Sequence, residues 1–173
     1  MERFAAPWGT RLSSATGLAL MVLIGMPFAV YFTQPERGIM LPAIFVVVGC
    51  VTAALGVLFV IRGYRLDEHG LHVERLFWSD RIPLDGLQRA WADHEATAKS
   101  TRLFGNSGFF CIAGLFTNRK LGRYRAFATD PVRAVVLDFA RRKIVVTPAD
   151  PWAFQTTLRR LQPAAEIGTK PAE

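Results

Sequence analysis

The chain has 173 residues, 51% of them apolar and 20% charged, and a formal charge of +7. That length holds one domain and an anchor, and leaves no room for the two-domain layout of many larger enzymes. Its two cysteines, Cys50 in an apolar stretch and Cys111 in a mixed one, exclude a disulfide-built scaffold and favour a cytoplasmic setting for the mixed part.

A mean hydropathy of +0.22 beside so many charges implies segregation, and the chain is segregated. After a short N-terminal segment (1–14), Glu36 and Arg37 are the only charges between Ala15 and Ile61. Residues 15–33 and 39–61 are each long enough to cross a hydrocarbon core of roughly 30 Å. Neither shows the polar stripe of a buried core helix. Pro27 and Pro42 suit a membrane helix, where neighbouring groups satisfy the freed carbonyls. Gln34-Pro35-Glu36-Arg37-Gly38 is a tight connection, so a helical hairpin is expected. Arg3 and Arg11 precede it, Arg62 and Arg65 follow it, and the connection is neutral. The positive-inside rule then places both ends in the cytoplasm. A cleavable signal sequence fits poorly, because Tyr31-Phe32-Thr33-Gln34-Pro35 offers no small-residue cleavage site.

From residue 62 the texture becomes short apolar runs separated by turns. Leu71-His72-Val73-Glu74 alternates as a half-buried strand does, after the turn Asp67-Glu68-His69-Gly70. Ile82-Pro83-Leu84 reads as an edge strand and 87–92 as another strand. Residues 93–101 read as a polar loop. Gly105-Asn106-Ser107-Gly108 reads as a turn, with a buried strand over 109–116. Strands follow over 124–129, 134–139 and 144–147. Asp150 can cap a helix starting at Pro151, with Phe154, Leu158 and Leu161 on one face and Arg159 and Arg160 near its end. Residues 163–173 read as a disordered tail. About seven strands closed by one helix, over 62–162, make a small barrel or sandwich.

That order of elements is the order of a pleckstrin-homology domain, and the residues resemble the bacterial PH-like domains found beside membrane helices. The resemblance rests on Leu103-Phe104-Gly105-Asn106-Ser107-Gly108-Phe109-Phe110, on Leu121-Gly122-Arg123-Tyr124-Arg125-Ala126-Phe127-Ala128-Thr129, and on the entry into the last helix, Val145 to Phe154. It implies a membrane-anchored, mainly β fold and a binding module in a bacterial inner membrane. Phosphoinositide-binding PH domains carry a basic cluster across the first hairpin. Here that turn is acidic, which argues against inositol-phosphate recognition.

No catalytic constellation stands out, so the chain is not expected to be an enzyme. Ser, His and Asp are scattered, and no phosphate-binding glycine motif is present. No cofactor is expected. His69 and His72 lack the further ligands of a metal site. Tyr124 and Phe127 alternate with Arg123 and Arg125, but a half-buried strand gives the same period-two alternation, so nucleic acid is not an expected partner. Two basic turns remain as candidate contacts for anionic lipid or a partner: Arg119, Lys120, Arg123 and Arg125 around one, Arg141, Arg142 and Lys143 in the other. The expected function is a cytoplasmic PH-like binding or scaffolding module for a protein or peptide partner, aided by anionic lipid. The alternative is a self-associating structural membrane component with no separate ligand.

Overall fold

The computed structural model describes residues 1–168 and Lys170. In chain order the elements are β1 (Glu2–Ala5), α1 (Thr10–Thr33), α2 (Met40–Leu58), β2 (Gly63–Asp67), β3 (Gly70–Glu74), β4 (Ser79–Ile82), β5 (Leu87–Ala92), β6 (Thr101–Phe109), β7 (Cys111–Asn118), β8 (Gly122–Ala128), β9 (Val135–Phe139), β10 (Arg142–Val146), α3 (Pro151–Leu161) and β11 (Glu166–Ile167). A 3-10 turn at Pro35–Arg37 joins the first two helices, and another at Pro131–Arg133 precedes β9.

Helices α1 and α2 pack on each other as a hairpin, with Gly49 against Leu23. Both are long and apolar enough to cross a membrane, and 11% and 17% of the residues in their apolar windows are buried. So little burial is not that of a soluble core. Leu18, Met21, Phe28 and Phe32 on α1, and Val47, Val51 and Leu55 on α2, present their side chains outward with no protein cover. The hydroxyls of Thr33 and Thr52 donate to the carbonyls of Ala29 and Val48, so these polar groups are satisfied within their own helices.

The remaining elements form a two-sheet sandwich with a helix across one end. One sheet has four antiparallel strands in the order β1-β2-β3-β4, and the other has seven in the order β11-β5-β9-β10-β8-β7-β6. The second sheet is mixed, because β10 runs antiparallel to β9 and parallel to β8. Alternation directs Tyr64, Leu66, Leu71 and Val73 into the space between sheets, where they meet Val135, Leu137, Ile144 and Val146. Phe154 and Leu158 of α3 complete this core, and Phe4 of β1 meets Phe154 edge to face, with centroids 5.2 Å apart. A second cluster on the other face of the larger sheet holds Trp91, Phe116, Tyr124 and Val136.

Several expectations from sequence hold in detail. Asp150 accepts from the N–H groups of Trp152 and Ala153, and Pro151 opens α3. Others change. The strand pairs do not close into a barrel, because β4 and β6 remain outer strands. Gly105 to Gly108 is not the turn; it lies within β6. The chain reverses at Phe110 (φ 63°) instead. Asn106 explains the shift: its side chain donates to the carbonyl of Phe109 and accepts from the N–H groups of Gly108 and Phe109, which ties the reversal four residues further along. The N-terminal segment contributes β1, paired to β2 from Glu2↔Leu66 to Ala5↔Gly63. The expected disordered tail is interrupted by β11, whose Ile167 is buried beside β5. Residues 169 and 171–173 of that tail lie outside the described residues.

The two sheets are joined by one buried hydroxyl. Tyr64 on β2 donates to the carbonyl of Phe127 on β8 (2.6 Å), and its oxygen accepts from the Thr147 N–H (3.2 Å). Burial pushes this phenol up to about 12, although both hydrogen bonds with Thr147 work the other way. The ordinary value is about 10, so the contribution is complete below that pH and is lost as pH rises through about 12. Tyr64→Phe leaves a buried carbonyl and N–H without their partner, and should cost about 1–3 kcal/mol in urea unfolding at pH 8. Its unfolding profile should also lose this component of the alkaline slope between pH 10 and 12.

Candidate functional site

The two basic turns come together. β8 and β10 are parallel neighbours, with Lys143 opposite Tyr124, so the turn before β8 and the turn before β10 share one end of the sheet. β8 runs from that end towards Thr129, whose carbonyl accepts from the Gly9 N–H at the foot of α1. The basic turns therefore sit at the end remote from the helices, a strand length of about 20 Å away. Arg119, Arg123, Arg141 and Arg142 are exposed there and Lys143 is half-buried, whereas Arg125, further along β8, is exposed on the side of Phe59 and the end of α2. Arg125 lies over the Phe127 ring (4.8 Å) and Arg142 over Phe139 (4.9 Å).

Lys120 belongs to a different interaction. Its ammonium lies 2.9 Å from the buried Asp93 carboxylate, which also accepts from the Glu95 N–H. Burial alone would raise the Asp93 carboxyl. Lys120, the Glu95 N–H and Lys170 outweigh it and hold the group below the ordinary carboxylate range. His69 and His72 are likewise structural. Asp67 accepts from the His69 N–H (2.9 Å) and lies 3.2 Å from His72 Nε2, fastening the β2–β3 turn. Among the described residues no three His, Cys, Asp or Glu side chains cluster as metal ligands would.

Two features at the foot of the helices escaped the sequence reading. The first is Arg75, whose side chain is 5% exposed at the end of β3. Its Nε donates to Asp80 Oδ2 (2.9 Å) and its Nη1 to the Phe59 carbonyl just past α2 (2.6 Å). The guanidinium also lies 5.8–5.9 Å from the ring centroids of Phe59, Trp78 and Phe127. The Cys111 thiol nearby is pushed up by burial, an effect that Arg75 partly offsets.

The second is a groove of about 630 Å³ beside that clamp. Arg3, Arg62 and Arg65 line it with Glu74, and Phe77 and Trp78 of the β3–β4 turn form its rim. Arg3 and Arg65 stand opposite each other on β1 and β2, and Glu74 answers both, at 2.5 Å and 3.8 Å. Arg62 is exposed and forms no ion pair or side-chain hydrogen bond among the described residues. The Nε of Arg65 is buried without a hydrogen-bond partner. Phe77 is 75% exposed.

A third surface lies along β6. Phe104, Leu115, Arg125, Phe127 and Phe59 line a groove of about 570 Å³ between this outer strand and the end of α2. Gly105 and Gly114 face each other across β6 and β7 with φ of 110° and 147°, so the groove floor carries no side chains at that point.

A family model, described as bacterial PH domain, matches residues 62–162, more than half of the chain. The chain belongs to the bacterial PH domain family. No curated protein and no solved structure matches it. Members of this family are binding modules. The matched span starts at Arg62, so β1 and both apolar helices lie outside it. The arginine groove is consequently built mostly from the PH domain, with Arg3, Phe4 and Ala5 supplied by the segment preceding α1.

Replacing Arg75 tests the clamp. Arg75→Gln removes one partner of a buried ion pair and should destabilise the full chain in detergent by about 3 kcal/mol. Arg75→Lys should not restore it, because a single ammonium nitrogen cannot reproduce a planar guanidinium that donates from separate nitrogens to Asp80 and the Phe59 carbonyl while lying against aromatic rings. Asp93 gives an acid-side counterpart. With its folded pKa lowered, its contribution is full above the ordinary carboxylate range near pH 4 and disappears as pH falls through the folded value. Asp93→Asn should flatten that part of the stability profile measured between pH 7 and 3.

Proposed function

We propose that this chain is a two-pass protein of a bacterial inner membrane, with both ends cytoplasmic, whose PH domain presents a docking surface to a protein or peptide partner. The arginines flanking the helices and the neutral connection between them support that orientation. The domain unit is residues 62–162 extended by β1, with 15–33 and 39–61 approximating the spans. No catalytic chemistry is assigned to it.

The observation that carries the docking role is the outer edge of β6. It is nine residues long and, among the described residues, no strand lies beyond it, although Thr16 of α1 meets it near its end, at Gly108. Leu103 is 46% exposed and Phe104 79% exposed. The part of this edge before Gly108 offers backbone donors and acceptors to an added strand, and the groove at Phe104 offers a pocket for its side chains. Arg119, Arg123, Arg125, Arg141, Arg142 and Lys143 favour an acidic segment. The remote position of all of these but Arg125 suits a soluble partner better than the bilayer beside the anchor. The same edge can pair with β6 of a second copy, which is the self-associating alternative.

A photo-crosslinking residue at Leu103 in the full-length protein, activated in cells, distinguishes the two. A recurrent non-self protein should be trapped, and Phe104→Asp should reduce its yield about tenfold or more, as for a binding hot spot. Recovery of the crosslinked homodimer alone establishes self-association instead, and trapping of neither removes the docking role from β6. Orientation is tested separately, in a background with Cys50 and Cys111 replaced. Glu68→Cys, on the exposed β2–β3 turn, should resist an impermeant thiol reagent in intact cells and react after lysis. Glu36→Cys should react in intact cells once the outer membrane is made permeable.

A further inference from the structure

We infer that the groove of Arg3, Arg62 and Arg65 seats the phosphodiester of an anionic membrane lipid. This inference rests on the membrane-spanning reading of α1 and α2, and on neither the β6 surface nor its partner. Four observations converge on it.

The first is charge. Among the described residues lining the groove, Glu74 is the only carboxylate, and it is shared by Arg3 and Arg65. Asp80 takes Arg75. Arg62 is left with no protein anion. The second is an unmet donor. Arg65 meets Glu74 only at 3.8 Å and its side chain, 29% exposed, forms no hydrogen bond among the described residues, so a phosphate oxygen in the groove can take up its accessible donors in a charge-assisted hydrogen bond.

The third observation is depth. α2 has 19 residues and is about 28 Å long at 1.5 Å per residue, close to the hydrocarbon thickness of a bilayer. Arg62 follows four residues beyond Leu58, which sets the groove at headgroup level. The fourth is the rim. Phe77 and Trp78 project from the β3–β4 turn, and Trp78 meets Phe59 edge to face at 5.5 Å. An exposed phenylalanine has no role in binding a free ion in water, but at this depth it can enter the acyl boundary while the guanidinium groups hold the phosphate. The groove also lies at the opposite end of the β2–β3 hairpin from the acidic Asp67–Gly70 turn. Arg3 of β1, which pairs to β2 from outside the PH domain, completes it.

The test uses the full-length protein in a neutral detergent, with bound lipid counted by native mass spectrometry. Phosphatidylglycerol, phosphatidylcholine and inorganic phosphate are titrated in turn. The wild type should retain phosphatidylglycerol in preference to phosphatidylcholine, and millimolar inorganic phosphate should not displace it. Arg62→Gln should weaken phosphatidylglycerol binding about fivefold and Arg62→Glu about twenty-five-fold, at roughly one charge contribution per step. Arg62 makes no side-chain interaction with the protein, so the thermal midpoint of both variants should match the wild type. Arg62→Lys should keep most of the binding, and Arg141→Gln with Arg142→Gln at the remote end should keep all of it. Equal retention of the two lipids, displacement by inorganic phosphate, or Arg62 variants that bind as the wild type does would each overturn the assignment. None of these outcomes alters what is trapped at β6.

Discussion

One buried guanidinium decides how the apolar helices and the PH domain relate. The carbonyls at a helix end lack intrahelical donors, and at the end of α2 the Phe59 carbonyl is met by Arg75, a residue of the sandwich. Because Arg75 is also held by Asp80 and enclosed by the rings of Phe59, Trp78 and Phe127, the same group belongs to α2, to the β3–β4 turn and to the packing against β8. Removing an arginine from such a place exposes more than one lost bond, since its neighbours were packed around the charge as well as paired to it.

Two further seams reinforce that one. The tip of the β6–β7 hairpin lies against the helices, with Phe109 and Phe110 beside Gly56. There the Thr16 hydroxyl donates to the Gly108 carbonyl (3.2 Å) and accepts from the Phe110 N–H (3.0 Å). On the other side, the Gly9 N–H reaches the Thr129 carbonyl and the Ala149 N–H reaches the Ala5 carbonyl, at 3.1 Å and 2.8 Å. Three polar seams around the foot of two helices do not describe a module on a flexible tether. They describe a domain whose orientation is set by its own anchor, so that one end and one edge always face the same way.

The parts of this arrangement that sequence reveals are those with a local signature. The apolar spans are legible because nothing but Glu36 and Arg37 interrupts them, and α3 is legible because Asp150 and Pro151 mark its start. β6 is misread because glycines at 105 and 108 look like a turn. The competing signal, the side chain of Asn106, acts three residues downstream. β1 is illegible: Glu-Arg-Phe-Ala has no pattern until β2, some sixty residues later, provides its partner. The candidate surfaces divide in the same way. The basic turns are visible as runs of charge, and their coming together follows only from the parallel pairing of β8 with β10. Lys120 looks like its neighbours until the buried Asp93 is seen beneath it. Arg3, Arg62 and Arg65 sit in segments separated by both helices, so no window along the chain contains the groove.

The place of β1 has a consequence for how such a molecule is made. The first strand of the chain has its partner beyond both apolar helices, so during synthesis Glu2 to Ala5 must remain unpaired until the whole hairpin and β2 have been produced. Completion of the four-stranded sheet is thus a late event that reports on the arrival of the helices. A fragment cut to begin at Arg62 would expose the edge of β2 and strip Phe4 from Phe154. It would present to its surroundings an adhesive edge that the intact chain covers with its own first residues.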